Sequence, residues 1–159
     1  ERGFCLVGSE MCIRDRSVSG AMKNVIAIAA GIVYGLELGE NARAAILTRG
    51  LAETAKLAKG LGGQTETVFG LAGAGDMALS SLSMTSRNFS WGFSLAKKQP
   101  FDDKLTEGLN SSKMAIKIAK KIKIEMPITE LVSKADNKNF DLQTEVENMM
   151  KRPPKLEWR

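Results

Sequence analysis

From Val25 to Val33 every residue is apolar or glycine. A helix through such a run has no polar face to offer water, so other elements must enclose it on all sides. The run is too short by itself to span a bilayer. Lys23 stands at its mouth, and no further charge follows until Glu37. An ammonium held there gives up part of its hydration, which disfavours the charged form and suits the group to trading protons as a general acid or base. Snorkelling to water from the end of a core helix is the more ordinary use of a lysine so placed.

The 159-residue chain has the length of one domain and enough apolar content to bury a core. Its 23 Lys and Arg against 18 Asp and Glu leave a net charge of +5, which favours anionic partners. Only Lys113 to Lys123 is densely basic and aromatic residues are few, so the stacking platforms of a nucleic-acid binder are missing and no nucleic-acid partner is expected. The absence of histidine excludes His-based triads and His metal sites. Catalytic candidates are thereby reduced to Lys, Asp, Glu, Ser, Thr, Cys and Tyr34.

Residues 1–16, ERGFCLVGSEMCIRDR, follow no clean period and hold both cysteines, Cys5 and Cys12. Glu10 and Asp15 interrupt any signal-peptide core, and no small-residue cleavage site follows. Leu6 to Arg16 resembles the conceptual translation of a transposase-type sequencing adapter. Residues 1–16 are therefore expected to be a non-native leader, the domain to occupy residues 17–159, and the true gene to continue upstream.

Along the rest, Asn41 is expected to cap a helix from about Ala42 to Leu61 with Leu47, Leu51, Ala55, Ala58 and Leu61 as its apolar stripe. Glu53 falls with the charged residues off that stripe, and Gly60, Gly62 and Gly63 supply a left-handed stop. The glycines at 70, 73 and 75 run in the reverse order of a dinucleotide fingerprint, with no strand before them, so a Rossmann loop is rejected here. They allow a tight turn that presents Asp76 in the first turn of a short helix, where capping is its commoner role. Thr85 or Ser86 can cap the helix bearing Arg87 and Asn88. Backbone N–H groups, a hydroxyl and a guanidinium meeting at one helix start would cradle a phosphate, and an ordinary cap beside a solvated arginine fits equally well.

Gln99 to Asp103 reads as a connection. Asn110 is expected to cap a helix with Ala115, Ile118, Ala119 and Ile122 inward and Lys113, Lys117, Lys120 and Lys121 outward. Pro127 opens another helix, and Asp141 to Lys151 forms the last, ended by Pro153 and Pro154. No stretch alternates at period two for long, so a single all-helical domain is expected.

In order, GAMKNVIAIAAGI, NARAAILTRGLAE, GLAGAGDM, SRNFSWG, Glu107-Gly108, EMPIT and KRPPKLE resemble the C-terminal domain of bacterial NAD(P)-dependent glycerol-3-phosphate dehydrogenases, over essentially Gly20 to Glu157. That resemblance implies the helical half of a two-domain enzyme whose N-terminal Rossmann half is absent. Its active site would lie between the halves. It implies interconversion of dihydroxyacetone phosphate and sn-glycerol 3-phosphate in the cytoplasm, for glycerophospholipid synthesis, with NAD or NADP bound mainly by the missing half. Lys23 would be the catalytic proton donor and acceptor; Asp76, Ser86, Arg87 and Asn88 would bind substrate with it. Arg87, Leu105 and Glu107 would contact the cofactor, and the chain is modestly shorter than the family near Lys98 to Leu105. Asn24 would share the pocket without a defined role.

Ala74 and Met77 replace leucines usual in that family, and Ser80-Ser81 replaces a common Thr-Cys pair. Without the Gly-rich loop and a second pocket lysine of the absent half, this chain is expected to be inactive alone. The phosphorylated triose or glycerol is the implied small-molecule partner, no membrane span is expected, and a homodimer is left open. A helical interaction module without catalysis is the competing reading. Such a module has no reason to bring Lys23, Asp76 and Arg87 together.

Overall fold

The computed structural model describes residues 10–101, 107–137 and 139–151. Among the described residues there is no strand, and the architecture is all-helical. The elements are α1 (Glu10–Gly35), α2 (Glu40–Gly60), α3 (Thr65–Phe69), a single π turn (Leu71–Gly75), α4 (Asp76–Leu82), α5 (Arg87–Ala96), α6 (Glu107–Ile122), α7 (Pro127–Lys134) and α8 (Leu142–Lys151).

Helix α1 is the axle, and α2, α4, α5, α6 and α7 all pack directly against it. Each residue from Val25 to Val33 is buried, as a run with no polar face requires. Each enclosed Ile or Val contributes roughly 1.5–3 kcal/mol of hydrophobic stabilisation. Glycines set how closely the helices approach. A Cβ on Gly31 would lie 2.1 Å from the Phe89 carbonyl oxygen, and one on Gly92 would lie 2.2 Å from that of Ile28. The backbones of α1 and α5 therefore touch where they cross.

The helix reaches back to Glu10, so α1 includes residues 10–16. Nothing in that stretch breaks a helix, since Glu, Met and Arg are good helix formers and neither Gly nor Pro occurs in it. The segment Arg16–Gly35 is consequently long and apolar enough to cross a membrane by length and composition, although the apolar run Val25 to Val33 is not. Its apolar surface is instead largely covered by the surrounding helices.

Two expected caps are corrected. Helix α2 starts at Glu40 after Gly39, whose φ of 86° turns the chain in without a side-chain cap, so Asn41 lies within the first turn. Helix α6 starts at Glu107, leaving Asn110 inside it; the Gly108 N–H donates to Asn88 Oδ1 of α5 at 3.0 Å. At α2 the positive φ of Gly39 sets the entry and no side chain caps it, whereas at α6 a side chain from α5 does what the local asparagine was expected to do. The Ser86 cap, the glycine stop after α2 with Gly62 at φ 80°, and Pro127 in the first turn of α7 stand as expected. Asp102, Asp103, Pro153 and Pro154 lie outside the described residues.

The buried face of α2 is wider than its expected stripe. It runs through Ala42, Ile46, Gly50, Glu53 and Leu57 as well as Ala55 and Ala58, because α2 lies between the main core and a smaller cluster around Val68. Glu53 was placed on the charged face and is instead 4% exposed. Its Oε1 accepts from the Ile128 N–H at 2.7 Å, and its Oε2 accepts from the Thr129 N–H at 3.1 Å and the Thr129 hydroxyl at 2.7 Å. A carboxylate from α2 thus closes the first turn of α7. Burial pushes the Glu53 carboxyl up to about 7, and these hydrogen bonds pull in the opposite direction.

Candidate functional site

Lys23 sits near the middle of α1, just before its fully buried run. The π turn Leu71–Gly75 folds tightly enough that a Cβ on Gly73 would lie 2.1 Å from the Val68 carbonyl oxygen. That turn delivers Asp76 as the first residue of α4, where the helix dipole favours a negative charge. Lys23 Nζ donates to Asp76 Oδ2 at 2.7 Å. The two side chains are 28% and 41% exposed, so the pair stands at the edge of the core with water on one side. This contact joins residues 53 positions apart.

One residue further along α1, Asn24 Nδ2 donates to Glu107 Oε2 at 3.3 Å. Gly108 presses on the same point, because a Cβ there would lie 2.6 Å from the Asn24 carbonyl oxygen. Asn88 in turn holds the Gly108 N–H. A chain of contacts therefore connects Asp76, Lys23, Asn24, Glu107, Gly108 and Asn88 across α1, α4, α5 and α6. Arg87, the first residue of α5, is exposed beside Asn88. Ser86 accepts from the Phe89 N–H at 3.4 Å and keeps its own O–H as a donor.

Of the residues singled out from sequence, Lys23, Asp76, Asn88 and Glu107 are thus brought into one neighbourhood, with Ser86 and Arg87 at its α5 border. Leu105 lies outside the described residues. Asn24 was named without a role, and the structure gives it a partner on α6. Only its place beside Lys23 could have pointed to it. Ser80, also nearby, donates to the Asp76 carbonyl at 2.8 Å.

No strand-turn-helix unit that could carry the pyrophosphate of a dinucleotide stands among the described residues. No group of acidic or cysteine side chains suited to a metal occurs among the described residues.

The sequence profile of the family described as "NAD-dependent glycerol-3-phosphate dehydrogenase C-terminus" matches residues 15–147. The chain is 42% identical over 146 residues to a Glycerol-3-phosphate dehydrogenase [NAD(P)+] of Rhodospirillum rubrum, covering 88% of this chain and 42% of the relative. It is 38% identical over 145 residues to the protein of the same name from Lactococcus lactis, covering 87% and 42%. Among solved structures, glycerol-3-phosphate dehydrogenase from Coxiella burnetii superposes with a TM-score of 0.80 at 38% identity, covering 88% of this chain and 45% of that one. The yeast enzyme, at 24% identity and a TM-score of 0.75, shares the fold. The chain spans less than half the length of these relatives. With its all-helical architecture and its match confined to the C-terminal portion, the chain belongs to the NAD-dependent glycerol-3-phosphate dehydrogenase family, as its C-terminal, non-Rossmann domain.

Proposed function

We propose that this domain is the substrate half of a cytoplasmic enzyme that interconverts dihydroxyacetone phosphate and sn-glycerol 3-phosphate for glycerophospholipid synthesis. The Lys23–Asp76 contact at the rim of the core is the observation that carries this reading. The nicotinamide cofactor, NAD or NADP, supplies or accepts the hydride when bound chiefly by an N-terminal dinucleotide half. In the reductive direction the Lys23 ammonium gives a proton to the ketone oxygen while the carbonyl carbon takes the hydride. In the oxidative direction Lys23 Nζ takes the hydroxyl proton back.

Asp76 holds the ammonium in position and balances its charge where water is partly excluded. Ser86, Arg87 and Asn88 stand where α5 begins, and the N–H groups of a first helical turn point outward. With the helix dipole and the Arg87 guanidinium they suit a phosphate dianion. Glu107 stands next to Lys23 through Asn24 and, with Arg87 and Leu105, is assigned to the cofactor side.

The test is to join residues 17–159 behind the segment of the Rhodospirillum rubrum relative that precedes its match to this chain. NADH consumption with dihydroxyacetone phosphate is then followed. Turnover by the joined protein, its loss in Lys23→Ala, and no turnover by this chain alone are the expected results. A folded joined protein in which Lys23→Ala leaves turnover unchanged overturns the assignment.

A further inference from the structure

Lys113, Lys117, Lys120 and Lys121 project from α6, and Lys123 follows just beyond its end. All five are exposed, and so is Met114, at 66%. Steps of four, seven and eight residues put Lys117, Lys120 and Lys121 on the face that Lys113 begins. Met114 joins that face three residues before Lys117 and seven before Lys121. The opposite face is already used: Gly108, Ser112, Ala115 and Ala119 are buried, and α6 packs there against α1 and α7. Glu107 to Lys123 holds five lysines against one glutamate, a balance of +4 in a chain whose net charge is +5. No acidic residue falls between Lys113 and Lys123. Among the described residues, Lys113 alone of the five has an ion-pair partner, Asp136 at 2.7 Å, while Glu125 and Glu130 border the face where they line a cleft with Lys120. The helix dipole accounts for Lys120 and Lys121 in the last turn, and not for Lys113 and Lys117 farther up.

An unbalanced positive face attracts an anionic partner, and its makeup selects among the candidates. Protein interfaces favour aromatic residues and Arg and are poor in Lys, whereas the cations here are Lys throughout. The phosphate backbone of a nucleic acid has nothing to offer the Met114 side chain. The interfacial zone of a bilayer takes up such an apolar group while its headgroups meet the ammonium groups around it. We propose that the lysine face of α6 is a peripheral docking surface for an anionic lipid bilayer. Because the apolar face of α6 is committed to the core, the helix rests on the headgroups without inserting, and the contact is electrostatic and reversible. The inference does not depend on the reaction proposed above, since none of these side chains belongs to the Lys23–Asp76 neighbourhood.

The test is sedimentation of the full 159-residue chain, and of the joined two-domain protein described above, with vesicles of phosphatidylcholine containing about one third phosphatidylglycerol. Both proteins should bind these vesicles, and neither should bind phosphatidylcholine alone. Raising salt from about 0.1 M to about 1 M shortens the screening length from about 10 Å to about 3 Å and should release them. Each lysine near such a surface strengthens binding about fivefold, so Lys117→Gln with Lys120→Gln and Lys121→Gln should weaken it by roughly a hundredfold. The same charge removed from exposed positions elsewhere, by Lys56→Gln with Lys59→Gln and Lys151→Gln, should weaken it less than about fivefold. All six side chains are exposed, so both triple variants should keep the parent's melting temperature. Met114→Ser should weaken vesicle binding and leave any binding to duplex DNA unchanged. Equal losses in the two triple variants overturn the proposal, because binding would then follow net charge and no particular face. Failure of either protein to sediment overturns it as well; if only the joined protein fails, the other half covers α6. DNA bound more tightly than vesicles, or vesicle binding indifferent to Met114→Ser, makes the face a general polyanion site and sinks the proposal too. Lys23→Ala in the joined protein should remove turnover and leave vesicle binding intact.

Discussion

Lys23 Nζ and Asp76 Oδ2 lie 2.7 Å apart at the one place where α1 passes from a partly wet to a fully buried helix. The aspartate is delivered by a π turn and a helix start, the lysine by a core helix. Neither can move far without disturbing its element.

In the proposed reaction the pair acts on one proton, so its two members should not contribute independently. In the joined two-domain protein, Lys23→Ala should lower kcat by roughly 10²–10⁴-fold. Asp76→Ala should lower it as well, and the double variant should lose much less than the product of the two losses. A double-mutant cycle on kcat/KM checks this, and strict additivity would contradict a shared role. The pair is partly exposed, so Asp76→Ala should change folding stability by less than about 1 kcal/mol.

Glu53 makes the stability of the domain depend on pH. Its folded-state value is pushed up to about 7 from an ordinary 4.5, so the folded chain holds this proton more tightly than the unfolded chain. Its contribution is therefore fully present below about 4.5 and is lost as pH rises through about 7, a span worth on the order of 3 kcal/mol. Glu37 and Asp141 shift downward, Glu37 through its hydrogen bond from Lys97 and Asp141 through that from Thr144, and both act only in more acidic solution. Urea melts should thus show stability falling between pH 5 and pH 8. Glu53→Gln should flatten that slope.

The crossing of α1 and α5 should not tolerate one added carbon. Gly31→Ala and Gly92→Ala place a Cβ against backbone carbonyl oxygens, which cannot swing away as a side chain would, and each should cost about 1–3 kcal/mol or more. Gly20→Ala meets nothing within 4 Å in the same α1 and should stabilise by roughly 0.5–1 kcal/mol. Thermal melts of the three variants, read at about 2–4 °C per kcal/mol, check the contrast. An unshifted Gly31→Ala would mean that the helices do not touch there.

Ser81 is fully buried on α4, and its hydroxyl finds no hydrogen-bond partner among the described residues. Removing that desolvated group should help, so Ser81→Ala should raise stability by about 1 kcal/mol. A loss of comparable size in a thermal melt would indicate that the hydroxyl is satisfied in solution.

Much of the helical framework was legible because it rests on local spacing. The inward Ala115 and Ala119 and outward Lys113, Lys117, Lys120 and Lys121 of α6 follow from a 3.6-residue period, and the Ser86 cap from the hydroxyl's reach to the N–H three residues on. The burial of Val25 to Val33 and the arrival of Asp76 in a first turn were legible for the same reason. Asn41 and Asn110 misled because each is a sound cap by itself, while Gly39 turned the chain into α2 two residues earlier with no side-chain cap and Asn88 reached the start of α6 from a distant helix.

What the sequence alone determined about this protein is therefore where most of the longer helices run, which of them is the core, and which residue types could do chemistry; it did not mark α3 or the start of α1. Only the tertiary structure decided that Lys23 meets Asp76, that Asn24 meets Glu107, and that Glu53 leaves its charged neighbours to close a helix 75 residues away. Helical periodicity is fixed by forces that reach one turn along the chain. A hydrogen bond between distant residues depends on where every intervening element is packed.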